Sequence, residues 1–236
     1  MCTIQNRRQT RRAVVDRVNE YLEALASYPR WKWDGGYSAY GSSSDSWLWP
    51  DSAFLGSAPF PRLPLLDRHS QCRHFAWAIP DDNAIATLVQ MGPLVEIGAG
   101  RGYWAYLIRQ AGGNIVAYDT LPNGNNWCED GEPWTEVLVG DERKVWEHQN
   151  RTLFLCWPPL SSDMAYNALR NYTGSTVVFV GESRGGCTGD EAFHRELAKH
   201  WHMVADLPIP HWDAMHDSLM IYVRGHIPAE GMEAPA

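Results

Sequence analysis

The amino-acid sequence predicts an α/β fold: one domain built on a mostly parallel sheet with helices on both faces. Beyond Gly92, short apolar segments of strand length alternate with segments of helical periodicity, which is typical of parallel sheets. The first apolar segment leads directly into a glycine-rich loop that precedes a helix. The chain has 236 residues, of which 44% are hydrophobic, which is enough for a sizeable core.

The N-terminal third is predicted to be a helix followed by a long irregular segment. Apolar residues at helical spacing predict one amphipathic helix over residues 10–27. From Pro29 to about Gln71 the sequence is rich in Gly, Ser and Pro and lacks periodicity. Residues 1–79 are therefore interpreted as an N-terminal helix with a Trp-rich, lid-like extension. Trp47 is a candidate wall of a substrate pocket, although the tryptophans here could equally attach the segment to the core.

Residues 80–236 are predicted to form the main part of the domain, as one structural unit with the extension. Pro80-Asp81-Asp82 indicates the start of a helix with an apolar face. Strands are predicted, in order, over residues 94–97, 115–118, 136–139, 152–156 and 176–180. Further helices are predicted over residues 103–110, 164–171 and 190–200. The chain then forms two more strands joined by a loop, over residues 203–207 and 219–223.

Charge and composition exclude several classes of protein. The formal net charge is −8, whereas nucleic-acid-binding domains normally present a basic face. The one dense basic patch, at residues 7–12, is more typical of a solvated helix start, so a nucleic-acid partner is disfavoured. No segment approaches the roughly 20 apolar residues that cross a bilayer, so no membrane association is expected.

The N-terminal residues and the cysteines together predict a cytoplasmic protein with reduced thiols. Residues 1–12 are polar and lack the apolar core of a signal peptide. The five cysteines are scattered and form no C-x-x-C pair, which fits neither a disulfide framework nor a thiolate zinc site. No metal is expected, and the oligomeric state is left open, a homodimer included.

The glycine-rich loop discriminates between cofactor classes. It has the sequence Glu96-Ile-Gly98-Ala-Gly100-Arg-Gly102 and connects a strand to a helix. A nicotinamide fingerprint needs glycine at the sixth position, which is Tyr103 here, and the Gly-Lys-Ser/Thr of a phosphate loop is absent. Glu96 would repel a phosphate but suits a cationic ligand.

This loop resembles the first motif of class I S-adenosylmethionine-dependent methyltransferases, an acidic residue followed by G-x-G-x-G. The resemblance implies that Glu96 positions the ammonium end of the cofactor. It also implies that the loop lies against the amino-acid part of the cofactor, through Gly98, Ala99, Gly100 and Gly102.

Two later motifs agree in order and position. Asp119 ends the second predicted strand, where the family has an acid that accepts hydrogen bonds from the ribose hydroxyls. Asp141 follows the third strand, where the family often has an acid beside the adenine amino group. The resemblance covers residues 80–224 and implies a Rossmann-like methyltransferase sandwich with a final antiparallel strand and S-adenosylmethionine as cofactor.

Four further segments resemble a group of poorly characterised bacterial and phage methyltransferase-like proteins. They have the sequences FAWAIPDD, GAGRGYW, CWPP and GGCTGD. This similarity implies that Trp77, Ile79 and Tyr103 line the cofactor side of the pocket. Of these we assign Tyr103 to the cofactor site and Trp77 to the acceptor site. It does not indicate which acceptor is used.

The end of the fourth strand carries an altered catalytic motif. The sequence from Cys156 to Leu160 resembles the D/N-P-P-Y/F/W motif of amino-methylating enzymes, with Trp157 in place of the acid or amide. Amino methylation of a nucleobase therefore loses most of its support. We assign Cys156 and Trp157 to the cofactor site and Pro158 to the acceptor site, although Cys156 could be a buried hydrophobe.

Two residues are candidate bases. Glu182 follows the fifth strand at the active edge of the sheet, where a carboxylate could accept a proton from an acceptor. The structural alternative is a salt bridge with Arg184 or a cap for the loop. His216, in a loose cluster with His211, Asp213 and Asp217, is the second candidate, and a metal site in this cluster is less well supported.

These observations predict methyl transfer to an O or N atom of a small or medium organic acceptor. One alternative is a non-catalytic cofactor-binding module with a macromolecular partner, which the missing polar group at Trp157 supports. The other alternative is a nucleobase amino-methyltransferase.

Overall fold

The computed structural model describes residues 19–26, 68–212 and 215–225 of the chain. Its centre is a seven-stranded sheet with the strand order β3-β2-β1-β4-β5-β7-β6. In chain order the strands are β1 (Leu94–Ile97), β2 (Ile115–Asp119), β3 (Leu138–Val139), β4 (Thr152–Cys156), β5 (Thr176–Gly181), β6 (Trp201–Pro208) and β7 (Ser218–Arg224). Strands β1 to β5 run parallel, whereas β7 lies antiparallel between β5 and β6.

Helices connect and flank these strands. Those in the described part of the chain are α1 (Glu20–Ala26), α2 (Arg68–His74), α3 (Asp82–Met91), α4 (Tyr103–Gln110), α5 (Met164–Asn171) and α6 (Glu191–His200). A 3₁₀ helix over Glu142–His148 lies between β3 and β4. Asp81 begins α3 by accepting a hydrogen bond from the Ala84 amide at 2.8 Å, as expected for an N-cap.

Each face of the sheet has its own hydrophobic core. One core contains Tyr21 of α1 and Trp104 of α4, and the other contains Leu169 of α5. Because successive side chains of a strand point to opposite faces, Phe154 of β4 belongs to the first core and Leu155 to the second. Burial on both faces explains the uninterrupted apolar sequence of the central strands.

The predicted fold class is confirmed by this strand order and by the antiparallel β7. The strands β1 and β4 and the helices α4 and α5 have the predicted bounds. Of the helix predicted over residues 10–27, the structure describes α1 alone, and the rest lies outside the described residues.

Two local predictions were wrong, and one element was not predicted. Helix α2 begins inside the segment predicted to be irregular up to Gln71. It lacks an apolar period because Cys72 is its one fully buried residue. Strand β3 has two residues instead of the predicted four, since it is an exposed edge strand. The 3₁₀ helix was not predicted, because Val145 is its one buried residue.

Within the described residues, no helix combines the length and the apolar character needed to cross a bilayer.

Candidate functional site

The carboxyl ends of β1, β2 and β4 open into a cavity of about 820 Å³. Ligands of open parallel sheets bind at this edge. Most of the residues predicted to form a cofactor or acceptor site line this cavity: Trp77, Glu96, Gly98, Ala99, Gly100, Tyr103, Asp119, Asp141, Cys156 and Trp157. Residues far apart in sequence therefore meet at one place, because parallel strands end at the same edge.

The glycine loop is folded tightly over β2. Gly98 and Gly100 have positive φ angles of 77° and 55°, a backbone conformation that favours glycine. A Cβ atom on Gly100 would lie 2.7 Å from the Sγ of Cys128, so a side chain there would clash with the cavity wall. The amides of Gly98 and Ala99 both donate to the carbonyl of Tyr118, at 2.9 and 3.0 Å.

Glycine is required at position 102 for packing rather than for the cavity. Gly102 does not line the cavity but begins α4, in the left-handed conformation at φ 79°. A Cβ atom there would lie 2.5 Å from Cγ2 of Val137. Glycine at this position lets the start of α4 pack against the segment before β3.

Glu96 is the most deeply buried charged group of the cavity wall, with 1% of its surface exposed. Its Oε2 atom is buried and has no hydrogen-bond partner among the described residues. Burial raises the pKa of Glu96 to about 8. The positive charge of Arg109 opposes this shift in pKa, and the carboxylate of Asp119 adds to it. A buried carboxyl group with an unpaired oxygen is suited to a ligand that brings hydrogen-bond donors and a positive charge.

Asp119 organises the neighbouring loop. Its Oδ2 accepts a hydrogen bond from the Gly100 amide at 2.8 Å, and its Oδ1 accepts one from the Leu121 amide at 2.9 Å. The amide side chain of Asn125 also donates to Oδ1, at 3.3 Å. Since each carboxylate oxygen can accept two hydrogen bonds, Oδ2 keeps one acceptor position.

Asp141 lines the cavity just beyond the end of β3. It caps the 3₁₀ helix by accepting from the Arg143 amide at 3.0 Å, and it also accepts from the Arg143 guanidinium. Hydrogen bonds from Arg143 hold the pKa of Asp141 below its ordinary value. Asp141 is therefore ionised at neutral pH.

The loop between β2 and β3 covers the cavity and is held by the segment around α2. The Trp77 indole donates to the Trp127 carbonyl at 2.9 Å, and Arg73 donates to the Cys128 carbonyl at 2.8 Å. Glu129 pairs with His74 at 2.5 Å and with Arg101 at 2.7 Å. Sequence reasoning missed this cover, because the loop is polar and without periodicity.

Trp157 and Trp77 form an aromatic wall. Their rings stack with centroids 5.1 Å apart and planes inclined by 22°. The Arg68 guanidinium lies over both rings, at 5.6 Å from that of Trp77 and 5.7 Å from that of Trp157. The Trp157 indole donates to Oδ1 of Asp217 at 2.8 Å, and Asp217 was not among the predicted site residues.

The four cysteines that the structure describes all line the cavity: Cys72, Cys128, Cys156 and Cys187. Burial raises the pKa of each thiol above its ordinary value, for Cys72 and Cys187 to about 12. The thiols are therefore neutral and act as soft apolar surface rather than as nucleophiles.

The two candidate bases lie in a separate pocket of about 510 Å³. Oε2 of Glu182 accepts from the Cys187 amide at 2.7 Å, and its Oε1 accepts from the His216 amide at 3.0 Å. Burial raises the pKa of Glu182, but these hydrogen bonds outweigh it and keep the pKa below the ordinary value. The His216 ring is 82% exposed, with Nδ1 at 3.4 Å from Oε1 of Glu182. Neither residue lines the larger cavity, although Cys187 lines both.

Two residues predicted to contact the acceptor, Pro158 and Trp47, are not among the described residues that line the cavity, and the alternative salt bridge of Glu182 with Arg184 is not formed. Pro158 is buried outside the cavity lining, with its carbonyl accepting from the Gly189 amide at 2.7 Å. Trp47 lies outside the described residues. Arg184 pairs with Glu191 rather than with Glu182.

Neither a protein-family model nor a curated protein matches this chain. Among solved structures, a protein in the NADB-Rossmann superfamily from Streptococcus agalactiae is 14% identical, with a TM-score of 0.41 over 61% of this chain and 68% of that one. Magnesium protoporphyrin IX methyltransferase from Synechocystis, with bound S-adenosylmethionine, is 11% identical, with a TM-score of 0.40 over 61% and 77%. Human N-acetylserotonin methyltransferase, in complex with S-adenosylmethionine, is 9% identical, with a TM-score of 0.37 over 61% and 52%. These likenesses concern the fold alone.

Proposed function

We propose that the protein is an S-adenosylmethionine-dependent methyltransferase that acts on an O or N atom of a small or medium organic acceptor. The observation that carries the proposal is the buried Glu96 carboxyl beside the glycine loop, with Oε2 unpaired. An ammonium group would satisfy the free oxygen and favour the ionised form of the carboxyl, whereas a nucleotide phosphate would oppose its ionisation.

The residues of the cavity fit this cofactor along its length. Glu96 would hold the ammonium group, and the free acceptor position on Oδ2 of Asp119 would take a ribose hydroxyl. Asp141 lies on the cavity wall as an ionised acceptor suited to an exocyclic amine of the base. When bound, S-adenosylmethionine supplies an electrophilic methyl group on a sulfonium centre.

The size and lining of the cavity support a small acceptor. Its volume of about 820 Å³ lies near the upper end of the range for ligand sites, roughly 300–1,000 Å³. Such a volume has room for a cofactor and an acceptor together. Trp157, which the sequence assigned to the cofactor site, stacks on Trp77, and we assign the two rings together to the acceptor, because such an apolar wall favours an apolar organic molecule.

The chain's own contribution would be mainly alignment. No carboxylate or imidazole predicted as a base reaches the cavity, since Glu182 and His216 lie in the other pocket. Holding an acceptor in line with the transferable group lowers the barrier by several kcal/mol without proton transfer, up to about 7–11 kcal/mol for ideal geometry. The loop over the cavity would exclude water during this step.

One observation favours a second candidate, a cofactor-binding module that does not catalyse transfer. Both oxygens of the Glu182 carboxylate accept hydrogen bonds from backbone amides, and the group lies in the other pocket rather than in the cavity. Tight cofactor binding, no methyl transfer to any member of an acceptor panel, and a co-purifying macromolecule would favour this candidate over the first.

Calorimetric titration with S-adenosylmethionine, S-adenosylhomocysteine and NADH tests the proposal. Wild-type protein should bind the two sulfur compounds, and Glu96→Gln should weaken both roughly thirty-fold or more, because the amide cannot ionise when the ammonium group binds. Glu23→Gln, on the exposed face of α1, is the matched control and should bind as the wild type does. Binding of NADH alone would overturn the proposal.

A further inference from the structure

Trp157 has a backbone conformation that bulky residues rarely adopt. Its φ angle is 51°, and it is the one non-glycine residue with positive φ in the described part of the chain. It follows β4 directly, at the edge of the cavity. Such an outlier persists only when its surroundings hold it in place, and these outliers cluster at functional sites.

Three contacts hold the Trp157 indole. One face stacks on Trp77, and the Arg68 guanidinium lies over the ring at 5.7 Å. The ring edge is fixed by Asp217, which accepts the indole N–H at 2.8 Å. The hydrogen bond is directional, whereas the two ring contacts tolerate sliding, so Asp217 defines the orientation of the ring.

Asp217 is a buried carboxyl group with few polar partners. It is 3% exposed, and its Oδ2 is buried without a hydrogen-bond partner in the described ranges. The charged and titratable groups around it are Arg68, Glu182, Cys72, Cys156 and Cys187. None of them forms a salt bridge or a hydrogen bond with it, so among the described residues the Trp157 indole is the donor that its side chain engages.

We propose that Asp217 is a positioning residue of the methyl-transfer site, which through the Trp157 indole fixes the aromatic wall against which a planar aromatic acceptor lies. This inference rests on the proposed function. The wall consists of flat indole faces and neutral thiols, and such a surface binds flat apolar rings better than flexible or charged molecules.

The protonation state of Asp217 should regulate the wall. Burial raises the pKa of Asp217 to about 7; the Trp157 hydrogen bond lowers this pKa, the charge of Glu182 raises it and that of Arg68 lowers it. Above this pH the carboxylate is ionised and makes a stronger, charge-assisted bond to the indole. Acceptor affinity should therefore rise as the pH passes upward through about 7.

Binding of 1-naphthol to the complex with S-adenosylhomocysteine tests this, measured by fluorescence titration one pH unit below and above about 7. Wild-type affinity should be about tenfold higher at the upper pH, since the charge-assisted bond is then formed. Asp217→Asn should bind 1-naphthol with a pH-independent affinity. Asp206→Asn, an exposed aspartate of β6, is the matched control and should retain the wild-type pH dependence.

A merely structural role is separated from a positioning role by Trp157→Phe. If Asp217 acts only through the indole, removing it has no further effect once the indole is gone. The double variant Asp217→Asn, Trp157→Phe should then bind 1-naphthol no more weakly than Trp157→Phe alone. In spectra of ¹⁵N-labelled protein, the indole N–H signal of Trp157 is identified as the one that Trp157→Phe lacks. The chemical shift of this signal should change with pH near 7 in the wild type and not in Asp217→Asn.

The outcomes distinguish this inference from the function on which it rests. Affinity for S-adenosylhomocysteine should stay within about twofold of wild type in Asp217→Asn, because Asp217 does not line the cavity in which the cofactor would bind. A wild-type protein that fails to bind S-adenosylhomocysteine overturns the proposed function and this inference with it. A protein that binds S-adenosylhomocysteine normally but binds no 1-naphthol, or binds it without pH dependence, overturns this inference alone.

Discussion

Two buried carboxyl groups, Glu96 and Asp217, differ in how far the sequence alone marks them as functional candidates. Glu96 stands two positions before a glycine loop, so its spacing alone marks it as a candidate. Asp217 stands in a loop beside a histidine, and nothing in the sequence distinguishes it from its neighbours. Its importance comes from the Trp157 indole, which β4 brings to it from 60 residues away.

Ligand binding at Glu96 should release protons. The pKa of Glu96 is raised to about 8 in the free protein, so the group is mostly protonated at neutral pH. An ammonium group beside it would lower this pKa and expel the proton. Calorimetry with S-adenosylmethionine at pH 7, in two buffers of different ionisation enthalpy, should detect release of up to about one proton per site.

The same titration with Glu96→Gln should show no such proton release, because the amide does not ionise. Equal observed enthalpies in both buffers for the wild type would contradict the assignment of Glu96 to the ammonium group.

At the scale of the element, strong periodicity made the sequence informative. Helices α4 and α5 have the predicted bounds because their apolar residues recur at helical spacing and their ends carry clear signals. Helix α2 was missed because its side chains serve the loop over the cavity rather than the core, as Arg73 and His74 do. Its contacts are polar and distant in sequence, and no local pattern encodes them.

The two ends of α4 offer a matched test of why Gly102 is glycine. Gly102 and Gly112 both have φ 79°, but a Cβ atom on Gly112 would meet nothing within 4 Å, whereas one on Gly102 would clash with Val137. Gly112→Ala should therefore lower the unfolding free energy only by the cost of the left-handed backbone conformation for alanine, roughly 1–2 kcal/mol. Gly102→Ala should cost a further 1–3 kcal/mol or so, from overpacking.

Urea unfolding of both variants measures this difference. Equal losses would mean that Val137 moves aside without cost and that Gly102 is required for its backbone conformation alone.

At the scale of the whole molecule, the order of the strands follows from the sequence far better than the contents of the cavity do. Alternating strands and helices with one glycine loop restrict the topology to few choices, so the parallel sheet and its antiparallel end could be predicted. The position of Glu182 and His216 in a pocket of their own could not be predicted. Glu182 was predicted to emerge at the active edge of the sheet, but the backbone amides of Cys187 and His216 hold its carboxylate in a neighbouring pocket.

The two raised carboxyl pKa values also set how the stability of the ligand-free molecule depends on pH. Glu96 and Asp217 have folded-state pKa values of about 8 and about 7. In the unfolded chain the pKa values are roughly 4. Between these limits the folded state binds more protons than the unfolded state, so the unfolding free energy falls as pH rises. The stabilising effect of protonation is fully present below about pH 4 and is lost as the pH rises through 7 and 8.

Urea unfolding at intervals between about pH 5 and pH 8.5 should therefore show declining stability, by about 1.4 kcal/mol for each pH unit and each group within its window. The variant Glu96→Gln, Asp217→Asn should lose most of this slope, because neither amide titrates, while Glu23→Gln, Asp206→Asn should keep it. A slope that survives in the first variant would mean that other groups dominate the pH dependence. Saturating S-adenosylmethionine should reduce the slope of the wild type as well, since the ligand stabilises the ionised form of Glu96 that burial alone disfavours.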